Sequence, residues 1–313
     1  MEKYRKLISF LKSIKYHGEV GYWVYWFLFK TRTLMKYKIF SDEYNVKREY
    51  KKKIGKVLHL QNPCMLNEKI QWLKLYVRDD FHTICADKYS VRDWIKNEFG
   101  EKYLVPLVLH TDNWRDITLS CIPDYPCIIK ANHTCGTYHI IRDKNKIDIK
   151  KIRTDCRCWL AWNYYATSQE WQYKNIKRKI LIEKLLLTND GHLPNDYKLH
   201  YINGVLKFIY VSIDREGCNS RNIYTPDWEL LPFSWVSKDT KNVIGEDIPA
   251  PATLALMKDF GQRVATKFKY VRVDFYDVDD KLYFGEITLH HGSGYDVFTP
   301  SEYDLFYGNQ LQL

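Results

Sequence analysis

The chain has 313 residues, 45% hydrophobic and 16% aromatic, enough apolar surface for one large domain or two moderate ones, which excludes a disordered polymer. Its net charge of +10 resides in residues 1–56, which hold 15 Lys/Arg against 5 Asp/Glu, while the rest of the chain holds 33 of each. A neutral main body argues against nucleic acid as a partner, because such proteins place a basic face on the folded domain. Eight cysteines stand at 64, 85, 121, 127, 135, 156, 158 and 218, with no CxxC pair and no zinc-like Cys/His spacing. Free thiols in a reducing cytosol are the expectation, and no secretory signal pattern opens the chain.

Residues 1–56 read as a basic, aromatic, helical extension. Gly21–Phe29 is a run of aromatic and aliphatic residues flanked by Lys12, Lys15, Lys30, Arg32, Lys36 and Lys38. The run is too short for the ~20 residues that span a bilayer. Two expectations stay open: peripheral contact of residues 1–40 with the inner face of an anionic membrane, or a helix packed on the body with a solvated basic face.

Residues 57–125 read as mostly helical. Leu66, Ile70, Leu73 and Val77 have helical spacing, and a second helix is expected from Asp87, which can cap it, to Gly100, which can end it. Residues 126–187 form a smaller subdomain, with strand, loop and strand over 126–142, a helix over 148–166 with Trp159 and Trp162 on its apolar side, and a strand near 179–187. Residues 188–313 form a larger one. Its strands lie at 197–202 and 205–213, joined at Asn203–Gly204 by a type I′ turn, followed by a helix over 252–268 and a hairpin over 270–289. Helices mixed with antiparallel hairpins make the fold class α+β.

Two stretches carry chemistry. In Ile128–Thr137, Lys130 ends an apolar strand before a polar loop containing Asn132, Cys135 and Gly136. A lysine beside free backbone N–H groups suits a polyphosphate, although neither GxxxxGK[ST] nor GxGxxG is present. An ordinary exposed hairpin fits the same residues. In the 270–289 hairpin, alternation puts Val271, Val273, Phe275, Tyr283, Gly285, Ile287 and Leu289 on a core face and Arg272, Asp274, Glu286, Thr288 and His290 on the other. A three-residue loop at 279–281 would set Asp274 opposite Glu286, with Cβ atoms roughly 5 Å apart. Two facing carboxylates repel unless one is protonated or a cation joins them. Mg2+ would suit two carboxylates and substrate phosphates, with Arg272 neutralising phosphate charge. Spacing alone leaves open a solvent-facing hairpin with weak surface ion pairs.

Taken together, NEKIQWLKLY, ADKYSVRDWI, IIKANHTCG, ILIEKLL, DYKLHYING and VRVDFYDVDDKLYFGEIT resemble the ATP-grasp superfamily. Within it they are similar to the teichuronopeptide-biosynthesis type, often filed among glycosyltransferases. The resemblance runs from about residue 60 to the C-terminus and implies two α+β subdomains gripping ATP between antiparallel sheets. It also implies roles. Lys130 would contact the ATP phosphates, and the Asn132–Thr137 loop with Gly136 would cover them. Glu183, Lys184 and Leu185 would read the adenine. Asp196 or Lys198 would reach the ribose or phosphates, Arg272 would hold the transferred phosphoryl group, and Asp274 and Glu286 would bind Mg2+. The superfamily usually has Asn two residues after the bridging Glu, where this chain has Thr288, a weaker ligand. Lys88 reaches the nucleotide or is a solvated first-turn lysine. His290 and His291 contact the acceptor or are structural.

The implied activity is ATP- and Mg2+-dependent carboxylate–amine ligation. The implied substrates are a uronic-acid-containing glycan, or its lipid-linked or nucleotide-linked precursor, and an amino acid or small amine. The rival activities are a sugar-nucleotide glycosyltransferase, for which Asp277-Val-Asp279 has the DxD spelling but a turn position, and a small-molecule kinase on the same fold.

Overall fold

A computed structural model describes residue 10 and residues 13–217, 219–240 and 243–313, apart from the side chains of 32 and 34–36. Lys12, Cys218 and the side chains of Arg32 and Lys36, all named above, therefore lie outside the described residues. Cys64, Cys85, Cys121, Cys127, Cys156 and Cys158 are free thiols. Two compact units form: one takes the described part of residues 1–45 with 106–169 and 173–185, the other residues 46–105, 170–172 and 186–313. The 57–125 stretch is thus shared between them.

The first unit holds an antiparallel sheet of β1 (Leu107–Thr111), β2 (Cys127–Ala131), β3 (Tyr138–Ile141) and β4 (Ile180–Lys184), in the order β1-β4-β2-β3. Along β2, Cys127, Ile129 and Ala131 are buried and alternate with half-buried Ile128 and Lys130. The buried set packs with Ile141, Ile180 and Ile182 against Ile152, Cys156 and Trp159 of the helix Ile149–Ala161. Asp148 caps that helix by accepting the Lys151 N–H at 3.0 Å. The helix expected over 148–166 is broken at Trp162, whose backbone is extended. Asn163 there accepts the Ala166 N–H at 3.2 Å and starts a separate turn, Tyr164–Ser168. Asn competes with the backbone for hydrogen bonds, so it caps helices better than it continues them.

The second unit is built on an antiparallel sheet of β5 (Asp196–Ile202), β6 (Val205–Ile213), β7 (Ser220–Tyr224), β9 (Tyr270–Val278) and β10 (Lys281–Thr288), in the order β10-β9-β5-β6-β7. A two-stranded ribbon pairs β8 (Ser234–Val236) with β11 (Val297–Thr299). Asn203 and Gly204 both have positive φ, as the expected β5–β6 turn requires. Leu66, Ile70 and Leu73 of the helix Leu66–Tyr76 are buried, whereas Val77 is already extended beyond its end. The second expected helix starts one turn late, at Val91, because Asp87 spends its carboxylate on the Tyr89 N–H and the Ser90 hydroxyl.

One sheet face packs Leu199, Tyr201, Val271, Val273 and Phe275 against Met257, Phe260 and Val264 of the helix Leu254–Ala265. The opposite face is apolar at one end, where Ile202, Phe208 and Tyr270 join Leu66, Ile70 and Trp235. Its other end carries charge.

The expected hairpin pairing is present, by a different route. The turn is two residues, Asp279–Asp280, both at positive φ, and Val278 pairs with Lys281. The extra residue is Gly285, bulged between Phe284 and Glu286, which restores Asp274 opposite Glu286 and Arg272 opposite Thr288. The bulge also switches faces. Leu282 and Phe284, not the expected Tyr283 and Gly285, join Ile287 and Leu289 in the core.

Candidate functional site

In the second unit, three adjacent strands place a row of charges on one sheet face. Glu286 pairs with Asp274 and Asp274 pairs with Lys198; in the next row Thr288 pairs with Arg272 and Arg272 with His200. The Arg272 guanidinium grips Asp274 with two bonds, Nε to Oδ1 at 2.7 Å and Nη2 to Oδ2 at 2.6 Å, and Nη2 also donates to Glu286 Oε1 at 2.9 Å. Lys88 Nζ lies 3.5 Å from Glu286 Oε2, so this lysine turns to the acids rather than to solvent. Lys198 Nζ donates to Asp196 and lies 3.7 Å from Asp274 Oδ2. The Thr288 hydroxyl donates to Glu286 Oε1 at 3.0 Å. Arg272 and Asp274 are 8% and 2% exposed, which rules out the solvent-facing hairpin.

Burial resists every charge here, and the partners decide which survive. Burial lowers the proton affinity of Arg272, but Asp274 and then Glu286 outweigh it and hold the guanidinium firmly charged. Burial pushes the Asp274 carboxyl up, against the pull of Arg272 and Lys198. Burial also opposes ionisation of Glu286, yet Lys88, Arg272 and Lys198 hold its carboxyl below the usual range.

His291 belongs to the same network. Its Nδ1 lies 2.8 Å from Arg272 Nη1, and since a guanidinium only donates, Nδ1 is the acceptor. Its proton therefore sits on Nε2, which faces Asp296 Oδ2 at 3.3 Å. Burial lowers the His291 pKa, so this neutral form is the one present. His290 lies elsewhere, 3.1 Å from the Gln172 amide and 3.5 Å from Glu170.

The first unit holds the remaining candidates. Lys130 and Glu183 share a sheet face, because Ile128 and not Lys130 pairs directly with Glu183, and their charged ends meet at 2.6 Å. Glu183 is 3% exposed. Asn132 is fully buried: its amide donates to the Lys177 carbonyl at 2.9 Å and its oxygen accepts the Lys179 N–H at 2.7 Å. It is a clamp at the base of the loop. His133, beside it, reaches the Trp159 carbonyl at 3.1 Å, and the Thr134 and Thr137 hydroxyls bond to each other. Gly136 takes positive φ in this loop. Lys184 is exposed, and the Leu185 N–H is committed to the Pro126 carbonyl at 2.9 Å.

Sequence reasoning missed His200 and Asp296. His200 is buried beside Arg272 on the pairing strand, 3.1 Å from the Tyr270 hydroxyl, with its ring 5.0 Å from that of His291. Its place at an even position of β5, in phase with Asp196 and Lys198, was the available signal. Nothing local marks Asp296. The DxD spelling is turn chemistry: Asp277 accepts the Thr253 N–H and hydroxyl and the Asp280 N–H, and Asp279 accepts the Asn189 N–H at 3.4 Å.

A family model described as TupA-like ATPgrasp matches residues 68–312. The chain belongs to the TupA-like ATP-grasp family. Its α+β fold is that family's fold, as the motifs implied. The TupA-like chain is also similar to several solved structures. The D-alanine–D-alanine ligase of Bacillus anthracis shares 15% identity over 66% of this chain and 57% of its own, with TM-score 0.39. The corresponding ligase of Helicobacter pylori shares 16% over 79% and 69%, with TM-score 0.40. The N5-carboxyaminoimidazole ribonucleotide synthetase of Thermus thermophilus shares 11% over 71% and 51%, with TM-score 0.38. The TupA-like chain thus spans a little over half the length of the first of these. No curated protein matches it.

Proposed function

We propose that this chain is an ATP- and Mg2+-dependent carboxylate–amine ligase. The observation that carries the proposal is the pair of carboxylates, Asp274 and Glu286, set directly opposite each other and held by one buried guanidinium. The donor set suits a hard divalent ion: two carboxylates and the Thr288 hydroxyl offer only oxygen. Asp196 Oδ1 is buried with no hydrogen-bond partner among the described residues, a further oxygen on the same face. Asp274, Glu286 and Thr288 would hold the ion, which when bound would neutralise phosphate charge.

This chain's own residues would do the rest. Lys130 would bind the nucleotide phosphates, with Gly136 in the loop above them, and Glu183, Lys184 and Leu185 would meet the base. Asp196 and Lys198 would contact ribose or phosphate, with Lys88 beside Glu286. Arg272 would stabilise the phosphoryl group in flight, and His291, which touches Arg272, would keep it oriented. A substrate carboxylate oxygen attacks the γ-phosphorus and ADP leaves. An amine then attacks the acyl carbon, loses a proton, and phosphate leaves as the amide forms. No protein nucleophile is required, so the exposed Cys135 has no covalent role.

The substrate reading follows from the teichuronopeptide-type likeness: a uronic acid of a bacterial surface polysaccharide or its precursor, joined to an amino acid or small amine. The turn role of Asp277 and Asp279 weighs against a glycosyltransferase. The test is nucleotide release against a panel of uronic acids and amines. ADP formed only when both are present supports the ligase. ADP formed with the acid alone, leaving a stable phosphorylated product, indicates a kinase, and UDP released from UDP-sugars without ATP use overturns the assignment.

A further inference from the structure

The helix Gly18–Ile39 is apolar on two sides, and only one is used within its unit. On the inner side Tyr22 is buried under the Arg157 guanidinium, 3.6 Å from the ring. Phe29 meets Trp162 edge-on at 6.0 Å, and Tyr37 meets Tyr165 at 5.5 Å. The outer side carries Val20, Trp23, Val24, Phe27 and Leu28, all exposed, with Val20 at 77% and Phe27 at 65%. Their i, i+3, i+4, i+7, i+8 spacing makes one continuous stripe. Single exposed apolar side chains need no explanation, but a contiguous stripe of this size does.

Charge identifies what covers it. The helix contains one acidic residue, Glu19, and Arg157 neutralises it at 2.7 Å. Lys30 and Lys38 are exposed, and Lys30 Nζ sits 4.1 Å from the Trp26 ring. Residues 1–56 carry all of the chain's +10. A surface that is negative outside and apolar just beneath complements this pattern, whereas a second copy with the same charge is repelled. No described helix is long and apolar enough to cross a membrane, so the match is to a bilayer surface.

We propose that the Val20–Leu28 stripe seats this protein on an anionic lipid surface. The helix lies in the interfacial plane, Trp23 and Phe27 enter the acyl boundary, and Lys30 and Lys38 meet the headgroups. The proposal is independent of the ligase assignment.

The test is co-sedimentation of the full chain with vesicles. It is expected to pellet with mixed phosphatidylglycerol and phosphatidylcholine and not with phosphatidylcholine alone. Trp23→Ser with Phe27→Ser should weaken binding roughly tenfold or more at an unchanged melting temperature, and Lys30→Glu with Lys38→Glu should abolish the preference for anionic lipid. In the unmodified chain, brominated phospholipids should quench tryptophan fluorescence on binding, a readout that does not depend on how the variants fold. Absence of pelleting and quenching overturns the proposal. So does a stable micromolar dimer that Trp23→Ser with Phe27→Ser dissolves, since a second copy would then own the stripe.

Discussion

Asp274 faces Glu286 because Gly285 is bulged out of β10. Without the bulge, the pairing that begins at Val278 and Lys281 would set Gly285 opposite Asp274 and turn Glu286 toward Val273, into the apolar core. A carboxylate stranded there costs several kcal/mol, so the bulge is what brings Glu286 to the charged face. Inserting one alanine between Gly285 and Glu286, which with the bulge kept moves Glu286 on to Val273 and the core face, is expected to lower both the melting temperature and ATP turnover, the latter by roughly a hundredfold or more. Gly285→Ala is milder: its Cβ would lie 3.0 Å from the Asp274 carbonyl oxygen, a tight contact that costs about 1–3 kcal/mol. Thermal melts and steady-state assays of both variants check this.

Arg272 and Asp274 stabilise each other only as a pair. Arg272→Met leaves a buried carboxylate without its bidentate partner and is expected to cost about 3–5 kcal/mol. Adding Asp274→Leu removes that carboxylate and should recover most of the loss, although neither variant should turn over ATP. Urea denaturation of the single and double variants measures the difference.

Lys130 on β2 and Asn132, one residue beyond the strand, are close in sequence yet differ in proposed role. The Asn132 side chain bonds to the Lys177 carbonyl and the Lys179 N–H, and Asn132→Ala should lower stability by about 1–3 kcal/mol by leaving buried backbone groups unmatched. Lys130→Met should lower MgATP affinity by roughly 10- to 100-fold through loss of a charge-assisted contact, and should also lower stability, because it strips the buried Glu183 carboxylate of its 2.6 Å ion pair. Calorimetric titration and thermal melts separate the two effects.

Asp155 links pH to stability in the first unit. Burial opposes its ionisation, but the His139 ring at 3.0 Å, Lys15 and Tyr16 hold its carboxyl down at about 2, below the ordinary 3.8. A depressed carboxylate contributes stability that is fully present above the unfolded value and disappears as pH falls from about 4 to about 2. Asp155→Asn should therefore cost about 2 kcal/mol at pH 7, and its urea midpoint should converge on that of the parent as pH drops through 4.

Period-two alternation was enough to put Arg272, Asp274, Glu286 and Thr288 on one face, and the same rule would have reached His200 through Lys198. The bulge was not legible. A three-residue loop and a two-residue turn with one bulge give the same Asp274–Glu286 pairing; the Val278–Lys281 pair and the burial of Leu282 and Phe284 distinguish them. The loop residue Asn132 looked available for phosphate because its partners, Lys177 and Lys179, are 45 and 47 residues away. The His291–Asp296 contact depends on a short turn through Gly292 and Ser293, both at positive φ, that no periodic pattern announces.

The most direct measurement is Mg2+-dependent ADP release by Glu286→Gln beside the unmodified chain, with melting temperatures matched. Gln keeps the size of the side chain and removes its charge. The account predicts that turnover falls by roughly a hundredfold to a thousandfold, with Mg2+ dependence weakened. Turnover and Mg2+ dependence equal to those of the unmodified chain would contradict it.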